Sequence, residues 1–334
     1  MDYAAATPVL PEVRDAMEKY FSKDFYNPNA IYQEGVRVKK DLGNYKTQIA
    51  ALTGARKEGI IFTSGGTEAN VLAMRGARPL TPERSDGGRV KNTGIFIEEG
   101  SHPSVVEASK GLAKSPTWEV ATLISSTTRD NTQGKQVREY RKKNGTSYPL
   151  LHIDASQTIQ YWNVGLEALS CDLISLDASK LYGPKGVGAL VVRRGVELDL
   201  PPEGTRVMPL IAGFAKALEV AVRDRESEYR RLNSLSAQFK EMLESSLPQA
   251  IITQELPNIT LVSVPGILPE LLVLALDREG ILVSAGPACD FHKPEPRDTP
   301  VRFSFGRFTT VKEVIQAAKT FCSVVGNLLK SDSE

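Results

Sequence analysis

An α/β fold with a large, mostly parallel sheet and a second, smaller α+β domain is what the sequence predicts. Three observations predict it. Short, branched apolar runs alternate with longer segments of helical period. Those runs are apolar on both faces, as strands covered from both sides must be. With 334 residues, 41% of them hydrophobic and 24% charged, the chain has the material for a substantial core and the length of about two domains.

The elements follow in order. Val38, Leu42, Tyr45, Ile49 and Leu52 recur at spacings of four and three, one buried stripe of a helix, with Gly54 as its stop signal. The predicted strands are Gly59–Thr63, Gly94–Glu98, Val120–Ile124, Leu150–Asp154, Leu173–Leu176 and Gly188–Val192. Near Val220 the character changes. A long, charge-rich helix is expected over Ala221–Ser245, closed by Pro248. Beyond it come a strand at Asn258–Val264, a helix at Pro269–Asp277 and a strand at Ile281–Ser284. Last is a helix whose stripe is Val314, Ala318, Phe321, Val325 and Leu328. The expected division is residues 8–220 for the sheet domain, and 221–334 together with 1–7 for the smaller one.

Composition excludes several classes. Lys plus Arg is 41 and Asp plus Glu is 40, a net charge of +1, so a dedicated nucleic-acid binder is not expected. No apolar run reaches the roughly 18 residues of a membrane span. Met1–Ala6 has neither a basic leader nor a long apolar stretch, so no signal peptide is expected. Three scattered cysteines suit neither a disulfide framework nor a zinc ribbon; no metal site and a reducing cytoplasm are expected.

Three motifs carry chemistry. Ile60–Asn70 runs from a strand through Gly65-Gly66-Thr67 into a helix, leaving backbone N–H groups at a helix N-terminus for an anion; a tight turn capped by Thr67 is the other reading. His152-Ile153-Asp154-Ala155-Ser156-Gln157 puts an acid at the end of a buried strand, either aimed into a ligand cleft or capping a helix. Asp172–Gly186 puts Lys180 just after another buried strand, as a candidate imine-forming amine or a solvated lysine. Together, a phosphate cup, a strand-end acid and a strand-end lysine are what pyridoxal phosphate needs.

With Ser284-Ala285-Gly286-Pro287-Ala288-Cys289 added, the chain resembles the NifS/IscS-like cysteine desulfurases, class V aminotransferase-family enzymes of fold-type I. The likeness runs from Asp2-Tyr3-Ala4-Ala5-Ala6-Thr7-Pro8 to the stretch Arg302–Thr310. It implies a PLP-dependent transferase: a seven-stranded sheet domain sandwiched by helices, a small α+β domain carrying the catalytic cysteine loop, and a homodimer. By position, it implies that Lys180 holds the cofactor and moves the substrate Cα proton, and that Asp154 pairs with the pyridine nitrogen. By the same likeness, Gln157, with Asn131 beside it, is expected to serve the ring oxygen and His102 to stack on the ring. Gly66, Thr67 and Ser179 are expected at the phosphate, Thr205 at the partner subunit's phosphate, and Arg302 on the substrate carboxylate. The likeness also implies that Cys289 accepts sulfur from L-cysteine as a persulfide and passes it to an acceptor protein. Cys289 also stands out by itself, in a glycine- and proline-bearing loop where a reactive thiol has access. Cys171 and Cys322 sit by buried stretches and are expected to be inert.

The likeness has departures. Asp177-Ala178-Ser179-Lys180 stands where the family usually has Ser-x-His-Lys, placing an acid near the phosphate; Arg206 of a second copy is the cation expected to neutralise it. Asn131-Thr132 replaces a usual Asn-Glu pair. Competing functions are selenocysteine lyase, another class V aminotransferase, or a degenerate PLP-binding interaction protein. A nicotinamide dehydrogenase needs Gly-x-Gly-x-x-Gly, which Ser64–Thr67 does not match.

Overall fold

The computed structural model describes residues 1–77, 94–98, 101–110, 112, 114, 121–126, 130–201, 204–286 and 300–331. The chain divides into two compact units: Pro8–Arg223, and Asp224–Glu334 together with Met1–Thr7.

The larger unit opens with α1 (Pro11–Ser22) and α2 (Gln33–Thr53), the second ending where Gly54 turns left-handed at φ 72°. Strands and helices then alternate: β1 (Ile60–Thr63), α3 (Gly66–Gly76), β2 (Gly94–Ile97), α4 (Pro103–Ala108), β3 (Ala121–Ser126), α5 (Thr132–Asn144), β4 (Leu150–Asp154), α6 (Leu166–Leu169), β5 (Leu173–Asp177), β6 (Gly188–Val192) and α7 (Met208–Arg223). The strands form one sheet in the order β1-β6-β5-β4-β3-β2, six of the expected seven among the described residues. β2 to β5 pair in parallel, and β6 runs antiparallel between β5 and β1. The C-terminal ends of β1, β4 and β5 therefore share one sheet edge. Thr63 and Asp177 both register with Gly188. A side chain at Gly188 has no room: its Cβ would lie 2.4 Å from the Leu176 carbonyl and 2.8 Å from the Gly65 backbone. The close approach of β6 to β1 and β5 thus depends on glycine.

Burial explains the strands. Every residue of β6 is buried, as are the first four of β4 and of β5. One face of the sheet packs on α3 and α4, with Ala69, Ala73, Met74 and Val105 against Leu123, Leu150, Leu173 and Leu190. A second cluster ties α1, α2 and α7 through Tyr20, Val38, Met208 and Ala212. Glu12 of α1 meets Arg223 at 3.3 Å and Lys216 at 3.8 Å on α7, so the two ends of this unit lie side by side.

The smaller unit holds α8 (Arg225–Ser246), β7 (Ile251–Leu256), β8 (Ile259–Ser263), α9 (Pro269–Arg278), β9 (Ser284–Ala285), β10 (Val301–Ser304) and α10 (Val311–Ser331). Its sheet runs β7-β8-β10-β9, antiparallel throughout. Phe303 packs on Phe239 and Phe321 with ring centres 4.7 and 5.4 Å apart, an aromatic centre for this core. The first residues of the chain join it, since Asp2 bridges to Ser304 and the Tyr3 amide donates to the Ser304 carbonyl.

Two elements differ from expectation. The strand expected at Ile281–Ser284 forms only over Ser284–Ala285, as β9. The helix expected over Ala221–Ser245 is two helices, broken at Asp224 (φ −94°, ψ 2°). Helical period continues on both sides, so the pattern alone hides the break. The Asp224 carboxylate accepts from Arg307 Nη1 at 2.6 Å, anchoring the start of α8 within the smaller unit.

Candidate active site

The edge where β1, β4 and β5 end gathers most of the expected cofactor residues. β1 delivers the chain into α3, whose N-terminal N–H groups face that edge. Gly66 opens this helix in a tight spot: a Cβ there would lie 3.0 Å from Ser156 Oγ and 3.3 Å from Asp177 Cβ. Thr67 is exposed and follows the first helical residue, so it is not the cap. Two acids serve that end instead. Asp177 Oδ2 accepts from Gly66 N at 3.2 Å, and Glu68 Oε2 accepts from Ser64 N at 2.6 Å.

Asp154 ends β4 and does both things its position allows. Oδ1 accepts from Ser156 N at 3.1 Å, a local cap, and Oδ2 accepts from Asn70 Nδ2 at 2.8 Å. The same Asn70 amide donates to Ser104 Oγ at 2.9 Å. Ser104 Oγ lies 2.7 Å from His102 Nδ1, which also accepts from Ser104 N at 3.1 Å. A hydrogen-bonded line thus joins the strand-end acid to the exposed imidazole of His102, the N-cap of α4. Because Nδ1 accepts a backbone N–H, neutral His102 carries its proton on Nε2. Asn70 and Ser104 lie inside motifs visible in the sequence, yet their role depends on a contact across 84 residues that no spacing announces.

Lys180 closes a single 3-10 turn, Ala178–Lys180, whose N-cap is Asp177: its Oδ1 accepts from Ser179 N at 2.8 Å. Gln160 Nε2 donates to the Lys180 carbonyl at 3.3 Å. Tyr182, buried, follows in the left-handed region at φ 59°, a conformation that costs a bulky residue energy and marks this turn as tightly determined. Gln157 is half-buried in the turn after β4, and Asn131 caps the backbone start of α5.

Behind Asp154 on the same strand, His152 is buried between Ser125 and Ser175, with Nδ1 at 2.9 Å and Nε2 at 2.8 Å from their hydroxyls. Burial pushes its pKa down to about 4, against a smaller opposing pull from Asp154, so the imidazole is neutral.

The remaining candidates lie elsewhere. Thr205 is exposed in the segment before α7. Within the chain, Arg206 Nη1 donates to the Phe62 carbonyl at 3.3 Å and its guanidinium lies over the Phe62 ring. Asp177 accepts from the Gly66 and Ser179 N–H groups. In the smaller unit, buried Arg302 donates from Nη2 to Asp2 Oδ1 at 3.1 Å, Asp2 being held in turn by Ser284 Oγ at 2.9 Å. Arg302 Nε is buried with no hydrogen-bond partner among the described residues. Cys289 lies outside the described residues. Burial pushes the Cys171 thiol up to about 12 and raises that of Cys322, so both are held as thiols. Among the described residues, no cluster of His, Cys, Asp and Glu could hold a metal ion, and no helix is long and apolar enough to cross a membrane.

The residues present fit pyridoxal phosphate. Asp154 ends β4 and Lys180 closes the turn that follows the neighbouring β5, and at the α3 end Ser156 Oγ is buried without a hydrogen-bond partner, beside Gly66.

Comparisons with known proteins agree with this geometry. The family model for aminotransferase class-V matches residues 1–123, 121–204 and 202–316. The mitosomal cysteine desulfurase of Trachipleistophora hominis is 30% identical, with 98% of this chain and 86% of that protein covered. The cysteine desulfurase IscS of Dictyoglomus turgidum is 28% identical over 94% of this chain and 91% of its own length. Among solved structures, a NifS-like protein superposes with a TM-score of 0.83 at 24% identity, covering 97% of this chain and 98% of that one. The apo cysteine desulfurase of Thermococcus onnurineus gives 0.77 at 18% identity, covering 99% and 94%; both carry the fold alone.

Proposed function

The chain belongs to the class V aminotransferase family, and from that premise we propose that it is a pyridoxal-phosphate-dependent cysteine desulfurase. It turns L-cysteine into L-alanine and carries the sulfur as a persulfide on Cys289. The observation that carries the reading is the joint placement, at one sheet edge, of the Lys180 turn, the Asp154 carboxylate fixed by Asn70, and the Gly66 N-terminus of α3. The near-full-length likeness to named cysteine desulfurases supports it.

When bound, the cofactor supplies an electron sink for the substrate Cα carbanion. Asp154 is suited to pair with the pyridine nitrogen, because Asn70 Nδ2 and Ser156 N fix the direction of its carboxylate. Lys180 is the amine that takes the substrate Cα proton and returns it. His102, with its proton on Nε2, offers that proton at the ring face. Gly66 and Ser156 take the phosphate end, with Thr67 and Ser179 beside it; Gln157 and Asn131 serve the ring oxygen. Arg302 is the ligand of the substrate carboxylate; Asp2 holds the guanidinium in one orientation, and its unpaired Nε leaves donor capacity for a second carboxylate. The Cys289 thiolate attacks the sulfur of L-cysteine, forming the S–S bond as the Cβ–S bond breaks. The released electron pair stays with the carbon skeleton, is protonated, and leaves in alanine. A small thiol or an acceptor protein then takes the terminal sulfur, feeding iron–sulfur cluster assembly or thiolation. The working form is a homodimer in which Thr205 reaches the partner's phosphate, and the free thiols of Cys171 and Cys322 fit a reducing cytoplasm.

The deciding experiment follows alanine formation and persulfide labelling with L-cysteine. Cys289→Ala is expected to lose at least 100-fold in alanine production and all persulfide label, while Cys171→Ala keeps both. Undiminished alanine formation in Cys289→Ala makes the chain another class V enzyme instead.

A further inference from the structure

Resting on the pyridoxal-phosphate reading above, we infer that Asp177 is a built-in anion at the phosphate end of the site. A phosphorylated cofactor must displace it or share its place, so this chain holds the phosphate ester less tightly than the same scaffold with a neutral residue there. The strand-end geometry fixes the carboxylate in place. Asp177 is the last residue of β5, registered against Gly188, and its Oδ1 is pinned by Ser179 N at 2.8 Å. That leaves Oδ2 to take the Gly66 N–H at 3.2 Å, the first helical amide of α3. The same oxygen lies 3.5 and 3.4 Å from where side chains at Gly65 and Gly66 would begin. The space kept open by those glycines is thus partly filled by an acid.

A helix N-terminus favours one anion strongly, and a second anion beside the first meets like-charge repulsion. Here Glu68 already accepts from Ser64 N as well, so two carboxylates use N–H groups at this end before any phosphate arrives. Ser156 Oγ, 92% buried by a residue exposure of 8% and lacking a hydrogen-bond partner, points to an occupant beyond Asp177. The site therefore keeps one neutral donor for a ligand while its backbone donors are shared with acids. An unphosphorylated pyridoxal, carrying no charge at that end, escapes the conflict.

The test uses full-length apo-protein titrated at fixed pH with pyridoxal phosphate and, separately, with pyridoxal. Binding is read from intrinsic fluorescence and from the rise in melting temperature. Asp177→Asn keeps the shape and an acceptor for Ser179 N; Asp177→Ser is the second variant. Both are expected to bind pyridoxal phosphate at least tenfold tighter than wild type, with pyridoxal affinity changed less than threefold. Inorganic phosphate is expected to compete more strongly in the variants. Equal or weaker binding of pyridoxal phosphate by both variants overturns the inference, as does a matching gain for pyridoxal. If neither wild type nor variants bind either compound, the cofactor reading itself falls and takes this inference with it. If all bind pyridoxal phosphate equally, only the present inference falls.

Discussion

His152 shows how much a single buried side chain ties to pH. Its pKa of about 4 lies below the ordinary 6.5, so between those values the unfolded chain binds more protons than the folded one. Stability from the neutral imidazole is complete above 6.5 and is lost as pH falls towards 4, up to about 3 kcal/mol. Denaturant melts at pH 7 and pH 4.5 are expected to differ less in His152→Gln than in wild type by about that amount; an equal difference in both removes the effect. Residues of this kind are hard to read from sequence. Lys180, Asp154 and Gly66 stood out because strand ends and glycine turns announce themselves. Asn70 and Ser104 did not, because their value lies in a bond between α3, α4 and β4. Asp177 was legible as an oddity, but the backbone N–H groups of Gly66 and Ser179 that hold it were not, because they meet it only through the fold.

At the level of elements, Asp172 is the clearest fastening. It precedes β5, is 1% exposed, accepts from Leu151 N of β4 at 2.7 Å, and takes guanidinium donors from Arg141 on α5 and Arg193 after β6. One acid thus joins a helix and three neighbouring strands. Asp172→Ala leaves Arg141 largely buried without its counter-charge, and a loss of about 3–5 kcal/mol is expected. Equilibrium unfolding checks it, and a change under 1 kcal/mol rules out this role. Strands of the large sheet were legible to within a residue or two because both faces are buried and their runs are continuously apolar. β7 escaped notice because it is an edge strand, with Ile251 62% exposed and no clean alternation. The start of α7 at Met208 was hidden for the opposite reason: its first turns, with Met208, Ile211, Ala212, Phe214 and Ala215 buried, are an unbroken apolar run with no polar residue to mark a face.

At the scale of the whole molecule, the exposed face of the α1–α2 region carries Phe21, Phe25, Ile31, Tyr32 and Val36, with Ile31 97% exposed. Exposed apolar side chains of this size are costly in water, and the proposed homodimer gives them a cover. Phe25→Glu combined with Ile31→Asp is expected to shift the sedimenting species from twice the chain mass to once; a wild-type monomer, or an unshifted double variant, argues against this face. The first residues of the chain raise a different question, one of time. Asp2 finds its strand partner in Ser304, 302 residues later in sequence. At a synthesis rate of roughly 5–20 residues per second, that partner emerges about 15 to 60 s after Asp2 does. The larger unit, Pro8–Arg223, is complete on the ribosome before that, so it can fold while the opening segment waits unpaired. The smaller unit closes after it, and the Arg302 that Asp2 orients takes its final place only once β10 has been made.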